Sequence, residues 1–352
     1  MSHQIDSFSM QIILFYFNEP ADFLSLIQVC KKFVFLLDRF RINPIRITQH
    51  TVKLFPNIQT QQIFTPIDLK VKVDRTKTLY PVSYDTYETK TTPFDTFRTI
   101  KYTNDDFKIY GQPIPEVVSQ LDISALASAQ ITHLEISSRL TLIRENSFEN
   151  NLFTKLELPS TLVNICKSAF SNNKKLKEVV LPNTITVLPD AIFSGCKLLD
   201  KINIPKSLKL IGSKAFSYTG LPSFEVLENF TVGTSVFEGC KYLTKITFSG
   251  QSIVPRNLCM SCVRLKRVKF DDSITVISDD AFNCCSSLED FVIPKNLRTI
   301  GNKAFYECTS LKILNFSEKV CYVGEAAFCG CESLEKLIFE NEKVVFGGVG
   351  VF

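Results

Sequence analysis

From residue 113 onward, apolar positions recur at a spacing that belongs neither to a helix nor to a long strand. With Phe305 as anchor, equivalent positions fall at Leu126, Phe148, Phe170, Phe193, Phe216, Phe237, Cys259, Phe282, Phe305, Phe328 and Val351, 21 to 23 residues apart. Five residues before each anchor stand Leu121, Ile143, Ile165, Leu188, Ile211, Val232, Val254, Ile277, Ile300, Val323 and Phe346, with no polar exception. A column this uniform predicts core. Small residues precede many anchors directly (Ala125, Ser147, Ala169, Ala215, Ala281, Ala304, Ala327), leaving room for a ring to lie across the neighbouring coil. The glycine of the Ile-Gly-x-x-Ala-Phe frame reads as a turn residue.

Each unit also carries an alternating segment, such as KLELP (155–159), EVVLP (178–182), KINIP (201–205) and DFVIP (290–294). A period of two predicts a short strand with one buried face, ended by Pro. Units of this length, pairing an L-x-x-L-x-L strand with a Phe-anchored return, predict a right-handed leucine-rich-repeat solenoid. About eleven units stacked at strand spacing give one curved parallel sheet roughly 50 Å long. The expected class is therefore an α/β repeat solenoid, mostly β, with a small helical head.

The wording Leu-x-x-Leu-x-Ile-Pro-x-x-Leu-x-x-Ile-Gly-x-x-Ala-Phe-x-x-Cys resembles the BspA-like subfamily of leucine-rich repeats over 113–352. That resemblance implies a non-enzymatic binding protein, either a surface adhesin or an intracellular or peripheral protein of the protist type.

Residues 1–48 change pattern to helical apolar spacing with a Pro-interrupted joint at Asn18-Glu19-Pro20. The order Phe15, Phe17, Asp22-Phe23, Leu26 and Val29-Cys30-Lys31-Lys32-Phe33 resembles the F-box, with Asp6-Ser7 in place of its opening Leu-Pro and Phe33 in place of its closing Trp. The resemblance implies a Skp-type adaptor as partner, contacted by Ile12, Phe15, Phe17, Phe23, Leu26 and Val29. The competing reading is a helical cap over the first rung, which a solenoid needs in any case. Between head and repeats, 49–112 reads as an irregular, Thr-rich transition. KLFPNIQTQQI lends it leucine-rich character, compatible with degenerate repeats.

Composition narrows the picture. With 45% apolar and 22% charged residues the chain is foldable, and a formal charge of +4 is too small for a nucleic-acid stripe. The N-terminus lacks the features of a secretory signal, and no stretch reaches bilayer-spanning length, so a cytoplasmic chain is expected, with cell-surface delivery by an unconventional route as the alternative. Three scattered His and the absence of hydrolase, phosphate-loop or zincin motifs predict no enzyme, no cofactor and no metal. The twelve Cys fit the repeat frame. Cys196, Cys240, Cys262, Cys285, Cys308 and Cys331 stand three residues after anchors, where Asn173 and Thr219 also occur. These small polar side chains share the ability to bond the backbone of a neighbouring turn. The CMSC sequence at 259–262 then arises because Cys259 replaces Phe at an anchor, and reduced thiols suit a cytosolic chain.

Strand residues pointing away from the core form the expected ligand face. On adjacent rungs Lys245, Arg267 and Lys269 cluster positive charge, and Val292, Ile313 and Ile338 set apolar side chains beside it. Such a patch suits either plain solvation or an acidic protein ligand on the concave face. Two functions follow: a substrate receptor or adaptor that holds a protein on its repeats, or a BspA-type adhesin for host or matrix proteins.

Overall fold

The computed structural model describes residues 7–29, 33–348 and 350–351. Asp6 and the Cys30-Lys31-Lys32 stretch of the F-box-like motif lie outside the described residues. The chain forms two compact units, 1–102 and 103–352.

In the first unit, helices Ser7–Leu14, Pro20–Val29 and Val34–Leu37 lead into an irregular segment. Met10, Leu14, Phe23, Leu36, Leu37, Phe40, Ile45, Ile47 and Phe55 form one core, with Phe17, Leu26 and Ile27 packed against it. Phe23 lies edge-on to Phe17, Phe40 and Phe55 at 5.3 to 6.4 Å between ring centroids, a favoured aromatic geometry. The Thr-rich stretch then holds three parallel strands, Thr60–Ile63, Arg75–Thr78 and Asp95–Phe97. Between the last two, Ser83 caps helix Tyr84–Lys90 by accepting a bond from the Thr86 N–H.

The second unit starts with helix Asn104–Tyr110, held by a capping box between Thr103 and Asp106. Every later element among the described residues is a strand or a turn. All eleven anchors are buried, as are the seven small residues before them. Phe148, Phe170, Phe193, Phe216 and Phe237 stack ring on ring at 5.3 to 6.0 Å, and Phe282, Phe305 and Phe328 do so at 5.4 to 5.5 Å. The stack breaks at Cys259, where fully buried Leu258 replaces the usual small neighbour. Large and small have exchanged places in that coil.

The column five residues before the anchors is buried apart from its two exceptions. Val232 is half-buried, and Phe346 is 43% exposed because its coil is the last of the array and lacks a following rung.

Two parallel strand ladders run through this unit, where one sheet was expected. The front ladder comprises Lys155–Glu157, Glu178–Val180, Lys201–Ile202, Ser223–Val226, Lys245–Phe248, Arg267–Phe270, Asp290–Phe291, Ile313–Phe316 and Lys336–Phe339, in three hydrogen-bonded groups. The back ladder uses two-residue strands such as Leu210–Ile211, Thr299–Ile300 and Tyr322–Val323, whose second residue belongs to the inward column.

The frame glycine has a different cause from the one expected. Gly301 has no left-handed φ; a Cβ there would lie 2.4 Å from the Asp279 backbone N, and at Gly324 2.4 Å from that of Asn302. Close approach of the preceding coil, not turn conformation, excludes a side chain. The left-handed backbone falls two residues before and two after the anchors, as at Lys303 (φ 53°) and Glu307 (φ 54°) around Phe305. Each is an unfavourable conformation for a side-chain-bearing residue. It is fixed by bonds to the next coil, Lys303 N–H to the Glu325 carbonyl and Glu307 N–H to the Cys329 carbonyl, at 2.9 and 2.8 Å.

Candidate ligand-binding face

Alternation in the front strands decides what faces outward. In Lys245–Phe248 the pattern of exposed Lys245, buried Ile246, half-buried Thr247 and buried Phe248 turns Lys245 and Thr247 out, and parallel register sets Lys245 beside Arg267 and Thr247 beside Lys269. Lys245, Arg267 and Lys269 are all exposed. Lys155 on the same ladder is bonded to Glu157 and lies 4.0 Å from Glu178, and these carboxylates raise its pKa. Lys245 and Lys269 make no ion pair among the described residues.

Both lysines line an open hollow of about 1340 Å³ that spans the front strands from Glu178 to Asp271. Its other charged members are Glu178, Asp200, Lys201, Lys206, Glu225 and Asp271. Asp271 is already engaged: it accepts from Gly250 N and Ser273, which lowers its pKa. Arg267 and the three apolar candidates are not part of this hollow. Val292 and Ile313 stand exposed at 73% and 53%, whereas Ile338 is half-buried and adds less apolar surface than its alternation suggests.

The residues three after the anchors form a buried polar ladder behind this face. The thiols of Cys196, Cys240, Cys262, Cys285, Cys308 and Cys331 donate to the carbonyls of Phe170, Phe216, Phe237, Cys259, Phe282 and Phe305, one coil earlier, at 3.0 to 3.2 Å. Asn173 does the same more strongly. Its Nδ2 reaches the carbonyls of Phe148 and Phe170, and its Oδ1 accepts the Asn151 N–H at 2.8 Å. Burial pushes the Cys196 and Cys240 thiols up to about 12 and that of Cys331 to about 11. A thiol held protonated is a poor nucleophile and a poor ligand. Among the described residues no group of three or more His, Cys, Asp or Glu is arranged to hold a metal.

In the head, the six adaptor candidates separate. Ile12, Phe15 and Val29 are exposed, at 47%, 55% and 85%. Phe17 and Leu26 pack against the core, and Phe23 is wholly buried within it, so Phe23 is withdrawn from any contact surface. Tyr16, at 77% exposure, joins the exposed group without having been singled out from the sequence. The back ladder was missed as well. Its outward residues include Leu142, Val187, Leu210, Ile253, Val276, Tyr322 and Val345, none of them charged. The available signal was a pair of apolar residues ending in the inward column, too short to show a period.

No helix among the described residues is long and apolar enough to cross a membrane. No curated protein matches the chain. Among solved structures, a leucine-rich repeat protein from Bacteroides ovatus is similar at 22% identity and a TM-score of 0.58, covering 87% of this chain and 85% of its own. The pneumococcal vaccine antigen PcpA is similar at 17% identity and a TM-score of 0.45, covering 82% and 83%. The first of these likenesses shows a shared fold. Residues 119–244 and 230–348 match the family described as BspA type leucine rich repeat region, in six copies. With its repeat frame matched over most of its length, the chain belongs to the BspA-type leucine-rich repeat family.

Proposed function

We propose that this chain is a protein-interaction scaffold whose ligand lies along the outward face of the front ladder, with Lys245 and Lys269 meeting acidic groups of that ligand. The observation that carries the reading is the placement of two adjacent lysines without ion pairs on one wall of an open hollow, where the polypeptide supplies a rigid strand platform. Exposed charge that finds no internal partner gives specificity and on-rate at little cost to the fold. The hollow has four acidic and four basic members, so selection of an acidic ligand rests on the local pair and not on net charge. Arg267 extends the basic row, and exposed Val292 and Ile313 supply apolar contact beyond it. Reversing Lys245, Arg267 and Lys269 to Glu is expected to weaken a captured acidic ligand at least about tenfold and to flatten its salt dependence, with an unchanged thermal midpoint. Isothermal titration at two salt concentrations reads both effects. Unchanged affinity returns the three residues to simple solvation.

The head supports a second contact. Exposed Ile12, Phe15, Tyr16 and Val29 lie on helices whose other side chains already fill a complete core, and apolar surface of this kind suits a helix-in-groove or helix-on-helix partner such as a Skp-type adaptor. Together the two surfaces describe a substrate receptor. Val29→Asp is expected to abolish recovery of the adaptor in a pull-down while leaving the circular dichroism spectrum intact, because Val29 is 85% exposed. Leu26→Asp, by contrast, would disturb the head's own packing. If the full chain recovers no adaptor, the adhesin function, which needs only the repeat face, becomes the better account.

A further inference from the structure

The last coil of the repeat array differs from the ones before it. Leu311, Leu314 and Phe316 are buried, yet their counterparts Leu334, Leu337 and Phe339 are half-buried, and Phe346 is 43% exposed. Lys336–Phe339 pairs only with Ile313–Phe316 among the described residues. Its other edge is open. The N–H groups of Lys336 and Glu340 donate to the Lys312 and Phe316 carbonyls, at 3.2 and 3.1 Å. Strand alternation therefore turns the backbone groups of Leu337 and Phe339 toward the open edge. An open edge backed by uncovered apolar side chains is a template for another strand.

The sequence along that edge is self-complementary. In Lys336-Leu337-Ile338-Phe339-Glu340, an antiparallel copy related by a two-fold axis through Ile338 sets Lys336 opposite Glu340, Leu337 opposite Phe339 and Ile338 opposite itself. The parity matches throughout. Outward residues meet outward residues, inward meet inward, and Leu337 and Phe339, whose N–H and C=O groups point to the edge, become the hydrogen-bonded pairs of the new ladder. Lys336 and Glu340 are both exposed, and neither forms an ion pair among the described residues, so each is available to the other copy. Opposite charges directly across an antiparallel pair stabilise it, and a two-fold arrangement uses the same contact twice.

We propose that this end of the array is a self-association edge, on which a second copy of the chain pairs antiparallel through Lys336–Phe339 and covers the half-buried side chains of the last coil. The proposal does not depend on the ligand face.

Sedimentation equilibrium of the full chain from about 1 µM to about 1 mM tests it, a range that brackets weak and moderate association. A monomer–dimer equilibrium is expected, with Leu337 and Phe339 amides gaining hydrogen-exchange protection as concentration rises. Glu340→Lys sets like charges across both symmetric contacts and is expected to raise the dissociation constant about tenfold. Adding Lys336→Glu to it re-pairs the charges and is expected to bring the constant back to within about twofold of the parent. Both positions are exposed, and thermal unfolding of each variant checks that the fold is retained. A single monomer mass across the whole range overturns the proposal. So does a dimer indifferent to Glu340→Lys, or one that the double variant fails to restore, since either outcome places the contact elsewhere. A chain that stays monomeric but binds an added extended peptide at this edge also overturns it, making the edge a site for a different partner.

Discussion

Raising the pH from about 8 to about 10.5 is expected to unfold the repeat array, with the loss beginning near the ionisation of a free thiol. An unfolded cysteine ionises near 9, whereas Cys196 and Cys240 in the folded chain are held protonated to about 12 by burial, and Cys259, Cys285 and Cys308 lie well above 9 for the same cause. Above pH 9 the unfolded chain therefore releases protons that the folded chain keeps, so stability falls as pH rises. The contribution is fully present below about 9 and disappears as pH approaches 12 for Cys196 and Cys240. Each such thiol removes about 1.4 kcal/mol per pH unit in that window. Two of them remove about 3 kcal/mol in the first unit, a large part of the roughly 5–15 kcal/mol that stabilises an ordinary domain. Urea midpoints measured between about pH 8 and 10, before most tyrosines and lysines titrate, read the slope directly. Thr219 shows that threonine is tolerated in this column, where it donates to the Phe216 carbonyl at 2.7 Å. The Cys196→Thr, Cys240→Thr double variant is therefore expected to fold and to reduce the slope by about 3 kcal/mol per pH unit. An identical slope in parent and variant would show that these thiols do not carry the effect.

How much of this was legible depended on how often a feature repeats. The anchor and inward columns could be read because eleven coils repeat them, and the buried positions of Leu126 through Val351 follow from that count. The polar ladder was legible for the same reason, since Asn173, Thr219 and six cysteines at one position share only a small size and a polar donor. Phe346 was misjudged because its exposure depends on a neighbouring coil that is not there, a property of the array and not of the residue. Gly301 and Gly324 could be seen to matter, but a sequence does not separate a left-handed backbone from a close approach, and only the 2.4 Å separation does so. The left-handed positions were obscured because Lys214, Tyr218, Lys303 and Glu307 occupy them alongside the expected Ser, Asn and Gly. Over 49–112 the strands begin at 60, 75 and 95, and intervals that unequal leave no period to detect. In the head, helical spacing marked Ile12, Phe15 and Phe23 alike as apolar, and tertiary packing alone sent Phe23 inward and left the other two outside.

Phe282→Ala is expected to destabilise the array by about 3–5 kcal/mol, read as a shift in the urea midpoint at unchanged slope. Phe282 is fully buried, stacks on Phe305 at 5.5 Å and lies edge-on to Phe270 and Phe291 at 6.2 and 5.8 Å. The coils around it cannot collapse into the vacated space, because the Phe282 N–H is tied to the Ala304 carbonyl and the Cys259 N–H to the Ala281 carbonyl, at 2.9 and 2.8 Å. Most of the volume therefore stays as a cavity. Asp272→Ala is the matched control. It loses only an ion pair to Lys295 at 3.6 Å between exposed side chains, and is expected to change stability by less than about 1 kcal/mol. The chain already contains the solution to a small anchor one coil earlier, where Leu258 precedes Cys259 and both are fully buried. Adding Ala281→Leu to Phe282→Ala copies that exchange of large and small, and is expected to recover about 1–2 kcal/mol as the leucine fills part of the cavity. A loss no larger than that of Asp272→Ala would place Phe282 outside the core and shift the repeat register. A double variant worse than the single would show that the Leu-Cys arrangement depends on its own neighbours and is not a transferable way of packing a coil.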